Sequence, residues 1–198
     1  LQIVIASKNI GKIKEIKSCA GRLPKVKWLT FKDFETFPDI EENGESFLEN
    51  AELKAKAISQ YTGMTTLADD SGLEVEFLGG RPGVRSSRYA GENASDKENR
   101  DRLMAELSDA KNISDRRARF VCSMVLWQPK KGSIFKTRGL CSGYIGLEER
   151  GTGGFGYDCI FIPAGYNRTM AQLGREEKNS ISHRGKAIRA VLEFIVNF

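Results

Sequence analysis

Only one histidine, His183, and four cysteines, Cys19, Cys122, Cys141 and Cys159, are present in the 198 residues. The cysteines stand far apart and form no CxxC pair, so neither a zinc site nor a disulfide framework is expected. No apolar run approaches the ~18 residues of a membrane span, and the apolar stretch at 3–6 is far too short for a signal peptide. These absences favour a soluble, cytoplasmic protein without a membrane partner. A dense basic tract is missing as well. The balance of 31 Lys and Arg against 26 Asp and Glu gives +5, with both signs interspersed. That pattern argues against a nucleic-acid partner and suits a polyanionic small molecule. The GxxxxGK[ST] spacing of a Walker loop does not occur either.

What is present is enough for one domain, 1–198, which would bury roughly 70% of the surface exposed by its extended chain. The centre of interest is the segment 67–91, LADDSGLEVEFLGGRPGVRSSRYAG, where carboxylates, hydroxyls and glycines crowd together. Thr65, Thr66, Leu67 and Ala68 are β-prone, and Leu73, Val75 and Phe77 alternate with Glu74 and Glu76 as in a half-buried strand. Asp69, Asp70, Ser71 and Gly72 between them read as a turn. Such a turn either satisfies its own backbone or offers hard oxygen ligands of the kind that hold Mg²⁺.

The start of the chain reads strand, turn, helix. Residues 2–6 read as a buried strand, and Ile13, Ile16, Ala20 and Leu23 then recur at helical spacing. Ser7, Asn9 and Lys12 sit at the junction, where free N–H groups, a capping side chain and a cation suit a phosphate, or merely an ordinary cap. Residues 26–30 suggest a second strand, followed by a loop carrying Glu41, Glu42 and Glu45. Ser46 with Glu49 forms a capping box for a helix reaching about Tyr61, with Phe47, Ala51, Ala55 and Ile58 on its apolar face. Asn50 and Lys54 share another stripe and can present an amide and an ammonium to one ligand.

Ser95 with Glu98 marks a second helix, mostly polar, that turns Leu103, Met104 and Leu107 inward and reads as a surface helix. Residues 119–128 and 133–144 form an expected antiparallel hairpin, with Cys122 and Cys141 facing each other across it as buried thiols. The segment 151–156, GTGGFG, matches the GxGxxG dinucleotide pattern, but a strand rather than a helix follows it. A Rossmann reading fails on that context. A glycine-rich loop with Phe155 and Asp158 suits stacking on a base, or is a plain hairpin loop with a packed ring. The chain ends in a helix with the stripe Ala187, Ile188, Val191, Leu192, Ile195 and Val196. Ser182 is its expected cap, leaving His183 and Arg184 in a first turn where the helix dipole disfavours cations.

Taken together, SKNIGK, SFLENAELKAKA, LADDSGLEVEFLGGRPGVRSSRYAG, GGFGYDCIFIP and EEKNSISHRGKA resemble the inosine triphosphate pyrophosphatase family, from residue 3 to about 191. The resemblance implies an α/β fold with a long, mixed, twisted sheet flanked by helices and two lobes around a central cleft, usually in a homodimer, and not doubly wound. It implies Mg²⁺-dependent hydrolysis of ITP, dITP and XTP to the monophosphate and pyrophosphate. Ser7, Lys8, Asn9, Ile10, Gly11 and Lys12 match the phosphate-holding turn, with Lys54 a further cation. Glu42 and Asp70 match the Mg²⁺ carboxylates, with Asp69 a further candidate, and Asp70 also matches the proton acceptor. Ser71 would touch substrate. Phe155, Gly156, Tyr157 and Asp158 match the base-binding loop, and Lys178, His183 and Arg184 the remaining nucleotide contacts. Cys159 stands where many relatives have proline, which implies a less rigid loop here. Two rivals remain: a related enzyme for pyrimidine or modified triphosphates, against which the SHR motif argues, and a non-catalytic nucleotide-binding module.

Overall fold

The structure is a computed structural model that describes residues 1–21 and 26–197. Its elements are β1 (Gln2–Ile5), α1 (Ile10–Ala20), β2 (Lys27–Leu29), α2 (Phe47–Thr62), β3 (Thr65–Val75), α3 (Asp96–Glu106), β4 (Arg117–Gln128), β5 (Gly132–Ile145), β6 (Phe161–Pro163), α4 (Arg175–Ile181) and α5 (His183–Asn197). The strands form one six-stranded sheet in the order β2-β1-β3-β4-β5-β6. β1 runs parallel to β2 and β3, with Ile3 beside Trp28 and Thr65, whereas β5 and β6 are antiparallel. The fold is therefore the mixed α/β sheet flanked by helices expected from the sequence. The glycine-rich stretch at 151–156 lies between β5 and β6, with no helix after it, so the dinucleotide pattern is coincidental.

The helix starts follow local rules. The Asn9 side chain accepts the Lys12 N–H at 3.0 Å and opens α1. Ser95 and Glu98 form the full reciprocal box at the start of α3. Ser46 caps α2 by accepting the Glu49 N–H, but Glu49 reaches back to the Glu45 N–H at 2.8 Å rather than to Ser46. Each such cap contributes about 1 kcal/mol to its helix. At the far end of α2, Gly63 turns left-handed at φ +66°, and its N–H donates to the Ser59 carbonyl.

Two compact units divide the chain: Leu1–Asp70, Cys122–Gly139 and Arg184–Phe198 in one, Ser71–Val121 and Leu140–His183 in the other. In the first, the two-residue period of the pleat decides which helix each strand residue meets. Ile3, Ile5, Leu67, Cys122, Met124 and Leu126 pack with Ile13 and Ile16 of α1 and with Ala187, Ile188 and Val191 of α5. The residues between them, Val4, Ala6, Ala68 and Val125, pack with Ala51, Ala55 and Ile58 of α2. With both faces covered, these strands carry near-continuous apolar runs rather than a one-sided alternation. The second unit has its own core of Leu73, Val75, Leu103, Leu107, Phe120, Cys141, Ile145 and Phe161.

Several expectations change. Asp69, Asp70, Ser71 and Gly72 are not a turn, because β3 runs unbroken through them. Partners from three helices hold the aspartates extended and override their preference for turns. Phe77 leaves the strand pattern, lying half-exposed in a single 3₁₀ turn. Val196 is 65% exposed and no part of the α5 stripe. Cys122 and Cys141 are both buried thiols, one in the core of each unit. The seven-residue α4 ahead of the last helix was not expected, and Leu23 lies outside the described residues. No helix among the described residues is long and apolar enough to cross a membrane.

Candidate functional site

The pleat that sorts the apolar residues of β3 also sorts its acids. Leu67 faces α1 and α5, Ala68 faces α2, and continuing that alternation sends Asp69 and Asp70 to opposite faces of the strand. Their partners agree. Asp69, fully buried, has Lys12 Nζ of α1 at 3.5 Å and Arg184 Nε of α5 at 3.3 Å from its Oδ2. Arg184 also pairs with Glu15, one turn after Lys12 on α1. Burial alone would push the Asp69 carboxyl up, but Lys12, Arg184 and Lys54 hold it well below the usual carboxylate range. Burial likewise opposes the Arg184 charge, and Glu15 and Asp69 more than restore it.

Asp70 meets α2 instead. Asn50 Nδ2 donates to Asp70 Oδ2 at 3.1 Å, and Lys54 Nζ lies 3.7 Å from Asp70 Oδ1. The same ammonium donates to Glu42 Oε1 at 2.8 Å. The Asn50 amide cannot flip freely, because its Oδ1 accepts the Gly44 N–H at 2.8 Å. Gly44 needs its missing side chain here, since a Cβ would stand 2.8 Å from that oxygen. Burial pushes the Asp70 carboxyl above its ordinary value, with Glu42 adding to the effect and Lys54 and Lys12 opposing it. For Glu42 burial is also the largest influence, yet Lys54 and Lys12 bring the group below its ordinary value. The two acids on Lys54 are thus shifted in opposite directions, Asp70 up and Glu42 down from their ordinary values.

The turn 7–12 is built around the opening of α1. Ser7 Oγ accepts the Asn9 N–H at 3.1 Å, Ile10 and Gly11 begin the helix, and Lys12 is mostly buried in its first turn. Lys8 points elsewhere and pairs with the exposed Asp39. Ser71 is the half-buried first residue after Asp70 on β3.

In the second unit the loop 151–158 closes on one carboxylate. Asp158 Oδ2 accepts the Phe155 N–H at 2.9 Å and Lys178 Nζ at 2.5 Å, and that ammonium sits 5.5 Å from the centre of the Phe155 ring. Gly154 at φ +76° makes this closure feasible, for any Cβ there would lie 2.0 Å from Asp158 Oδ2. Tyr157, expected among the ligand contacts, is turned into the core, and its hydroxyl donates to the Ser86 carbonyl at 2.8 Å. His183 is buried and stacks on Phe120, with ring centres 4.7 Å apart and planes 13° off parallel.

Asn50, expected to present its amide to a ligand beside Lys54, donates to Asp70 and accepts from Gly44. Glu15 takes a part that the sequence signals only by its place one turn after Lys12. Arg184, expected as a nucleotide contact, has its Nε and one terminal nitrogen committed to Asp69 and Glu15.

Residues 3–194 match the model of the Ham1 family. The chain is 44% identical over 200 residues to the dITP/XTP pyrophosphatase of Exiguobacterium sibiricum, covering 100% of this chain and 98% of the relative. It is 45% identical over 188 residues to the dITP/XTP pyrophosphatase of Oceanobacillus iheyensis, covering 94% of each. The solved structure of a HAM1 protein from Coxiella burnetii matches 100% of both chains with a TM-score of 0.89 at 40% identity. By its sequence, its sheet order and its near-complete overlap with these relatives, the chain belongs to the Ham1 family.

Proposed function

We propose that this chain hydrolyses the non-standard purine nucleoside triphosphates ITP, dITP and XTP to the monophosphate and pyrophosphate, with Mg²⁺, as a homodimer serving the cytoplasmic nucleotide pool. The observation that carries the reading is the placing of Glu42 and Asp70 on the single ammonium of Lys54, with the Asp70 carboxyl raised and its orientation fixed by Asn50. The relatives named dITP/XTP pyrophosphatase support the substrate class.

Glu42 and Asp70 fit Mg²⁺ by chemistry: both are hard oxygen donors, and Glu42 is held as an anion. Among the described residues no three His, Cys, Asp or Glu side chains converge. That suits an ion held by one or two carboxylates, with water and substrate phosphate completing its shell. When bound, Mg²⁺ would supply charge neutralisation at the phosphates. Lys12, Lys54 and the N–H groups at the start of α1 are assigned to the phosphates. Asp70 accepts the proton of the attacking water as its oxygen bonds to phosphorus and the bridging bond between the α and β phosphates breaks. Asp69 serves as the anchor that keeps Lys12 and Arg184 in place. Phe155 and Asp158 with Lys178 are assigned to the base, and no covalent intermediate is needed.

The test is a panel of nucleoside triphosphates with Mg²⁺, scored for products. Monophosphate and pyrophosphate from ITP, dITP and XTP, at rates far above those from ATP and pyrimidine triphosphates, are expected. Release of orthophosphate, a preference for pyrimidine substrates, or binding without turnover would each sink the reading. Within it, Lys12→Ala weakens tripolyphosphate much more than inosine monophosphate, because Lys12 is assigned to phosphate. Equal losses in a calorimetric titration would make Lys12 a support of the fold instead.

A further inference from the structure

The polar helix α3 has more to do than cover the second unit. Two of its residues, one turn apart, take hold of the two peptide groups that meet at Gly156 in the loop 151–158. Asp96 Oδ2 accepts the Gly156 N–H at 2.7 Å, and Arg100 Nη1 donates to the Gly156 carbonyl at 2.9 Å. The Arg100 fork also grips Glu149 at the loop's entry, with Nε 2.8 Å and Nη2 3.2 Å from its two carboxylate oxygens. Burial, with Arg100 opposing and Glu149 adding, pushes the thiol of Cys159, just past the loop, up to about 11. Gly156 is left-handed at φ +61°, so the two peptide planes that meet at its Cα determine how the chain leaves Phe155 and enters Tyr157.

We infer that Asp96 and Arg100 are positioning residues that fix the two peptides flanking Gly156 from outside and thereby set the pose of Phe155 and Asp158 toward the purine base. This rests on assigning the loop to the base. A charge-assisted bond to each of the two peptides that meet at one Cα holds both of them and the angle between them, which a single bond does not. The i, i+4 spacing of Asp96 and Arg100 places both on one helix face, and the Ser95 cap keeps that turn formed. The base loop is thus held by side-chain bonds and needs no proline at 159 for its rigidity.

The experiment measures two things on Asp96→Ala and Arg100→Ala: amide hydrogen exchange across 151–158, and affinity for inosine monophosphate compared with tripolyphosphate. Faster exchange in the loop is expected. Affinity for the monophosphate should fall roughly tenfold, part of the about 5- to 150-fold that a whole base-stacking contact is worth. Inhibition by tripolyphosphate and kcat at saturating ITP should stay near wild type, so KM rises alone. Asp96→Asn, whose amide oxygen still accepts the Gly156 N–H, should restore both readouts. Unchanged exchange in the loop overturns the clamp. Faster exchange with unchanged monophosphate affinity shows that the loop is clamped but does not bind the base, which overturns the assignment of the loop as well. Loss of all ligands together, with exchange raised throughout the second unit, makes α3 a purely structural support and also overturns the inference.

Discussion

Asp70→Asn loses about 10²- to 10⁴-fold in kcat, the usual effect of removing one general base, while nucleotide binding remains measurable. The amide keeps the size of the carboxylate but cannot take a proton from water, and its neutral oxygen holds a hard cation less well. The surroundings make the change worse than isosteric. Asn50 presents a donor to Asp70 Oδ2 and is pinned in that sense by the Gly44 N–H, while Lys54 stands by Oδ1. Two oxygens suit two donors, whereas an amide must turn its NH₂ group toward either Asn50 or Lys54. Steady-state kinetics on ITP with Mg²⁺ checks this. A variant with near wild-type kcat would remove Asp70 from proton transfer and leave it at most a ligand of the cation.

The features legible in the sequence were those decided within a few residues. The caps at Asn9, Ser46 and Ser95, the hairpin of β4 and β5 and the failure of the glycine motif as a dinucleotide loop all follow from near neighbours. The family motifs likewise led to Lys12, Glu42, Lys54, Asp70, Asp158 and Lys178, each of which the structure places in an ion pair: Lys12 with Asp69, Lys54 with Glu42 and Asp70, and Lys178 with Asp158. The facing of Asp69 and Asp70 was not legible, because Asp, Ser and Gly locally favour a turn. Only Lys12, Arg184, Asn50 and Lys54, brought in from α1, α5 and α2, hold that stretch as a strand. A neighbouring pair of aspartates then becomes two separate devices, one buried against cations and one beside Glu42. The same limit hid the work of α3. Its low apolar content correctly marks it as half-exposed, but nothing local reveals that Asp96 and Arg100 reach the loop some 60 residues on. The unfavourable cations at the start of α5 were legible as an oddity, and the structure explains Arg184 by its two carboxylate partners.

Arg116→Ala should be the most destabilising single change outside the candidate site. Its guanidinium is 3% exposed and donates to four carbonyls: Leu107 at 3.0 Å, Ala110 at 3.3 Å, Ile145 at 2.9 Å and Gly146 at 3.0 Å. All four partners are neutral, and burial alone pulls the arginine below its ordinary value. The cation is tolerated because it sits just past the end of α3, by the negative end of the helix dipole, where the carbonyl of Leu107, which also accepts the Ala110 N–H, and that of Ala110 both accept from it. Alanine strands those carbonyls and opens a cavity, and each stranded group costs about 1–3 kcal/mol unless water reaches it. A net loss of about 3 kcal/mol, at about 2–4 °C per kcal/mol for a chain of this size, lowers the melting temperature by roughly 10 °C. Arg116→Lys should recover only part of this, because one ammonium cannot span carbonyls on two separate segments. Arg116→Met separates packing from hydrogen bonding, since it fills much of the space and donates nothing. If the methionine variant melts with wild type, the carbonyls find water and the fork is dispensable. If it melts with alanine, the fork is what ties the end of α3 to the end of β5.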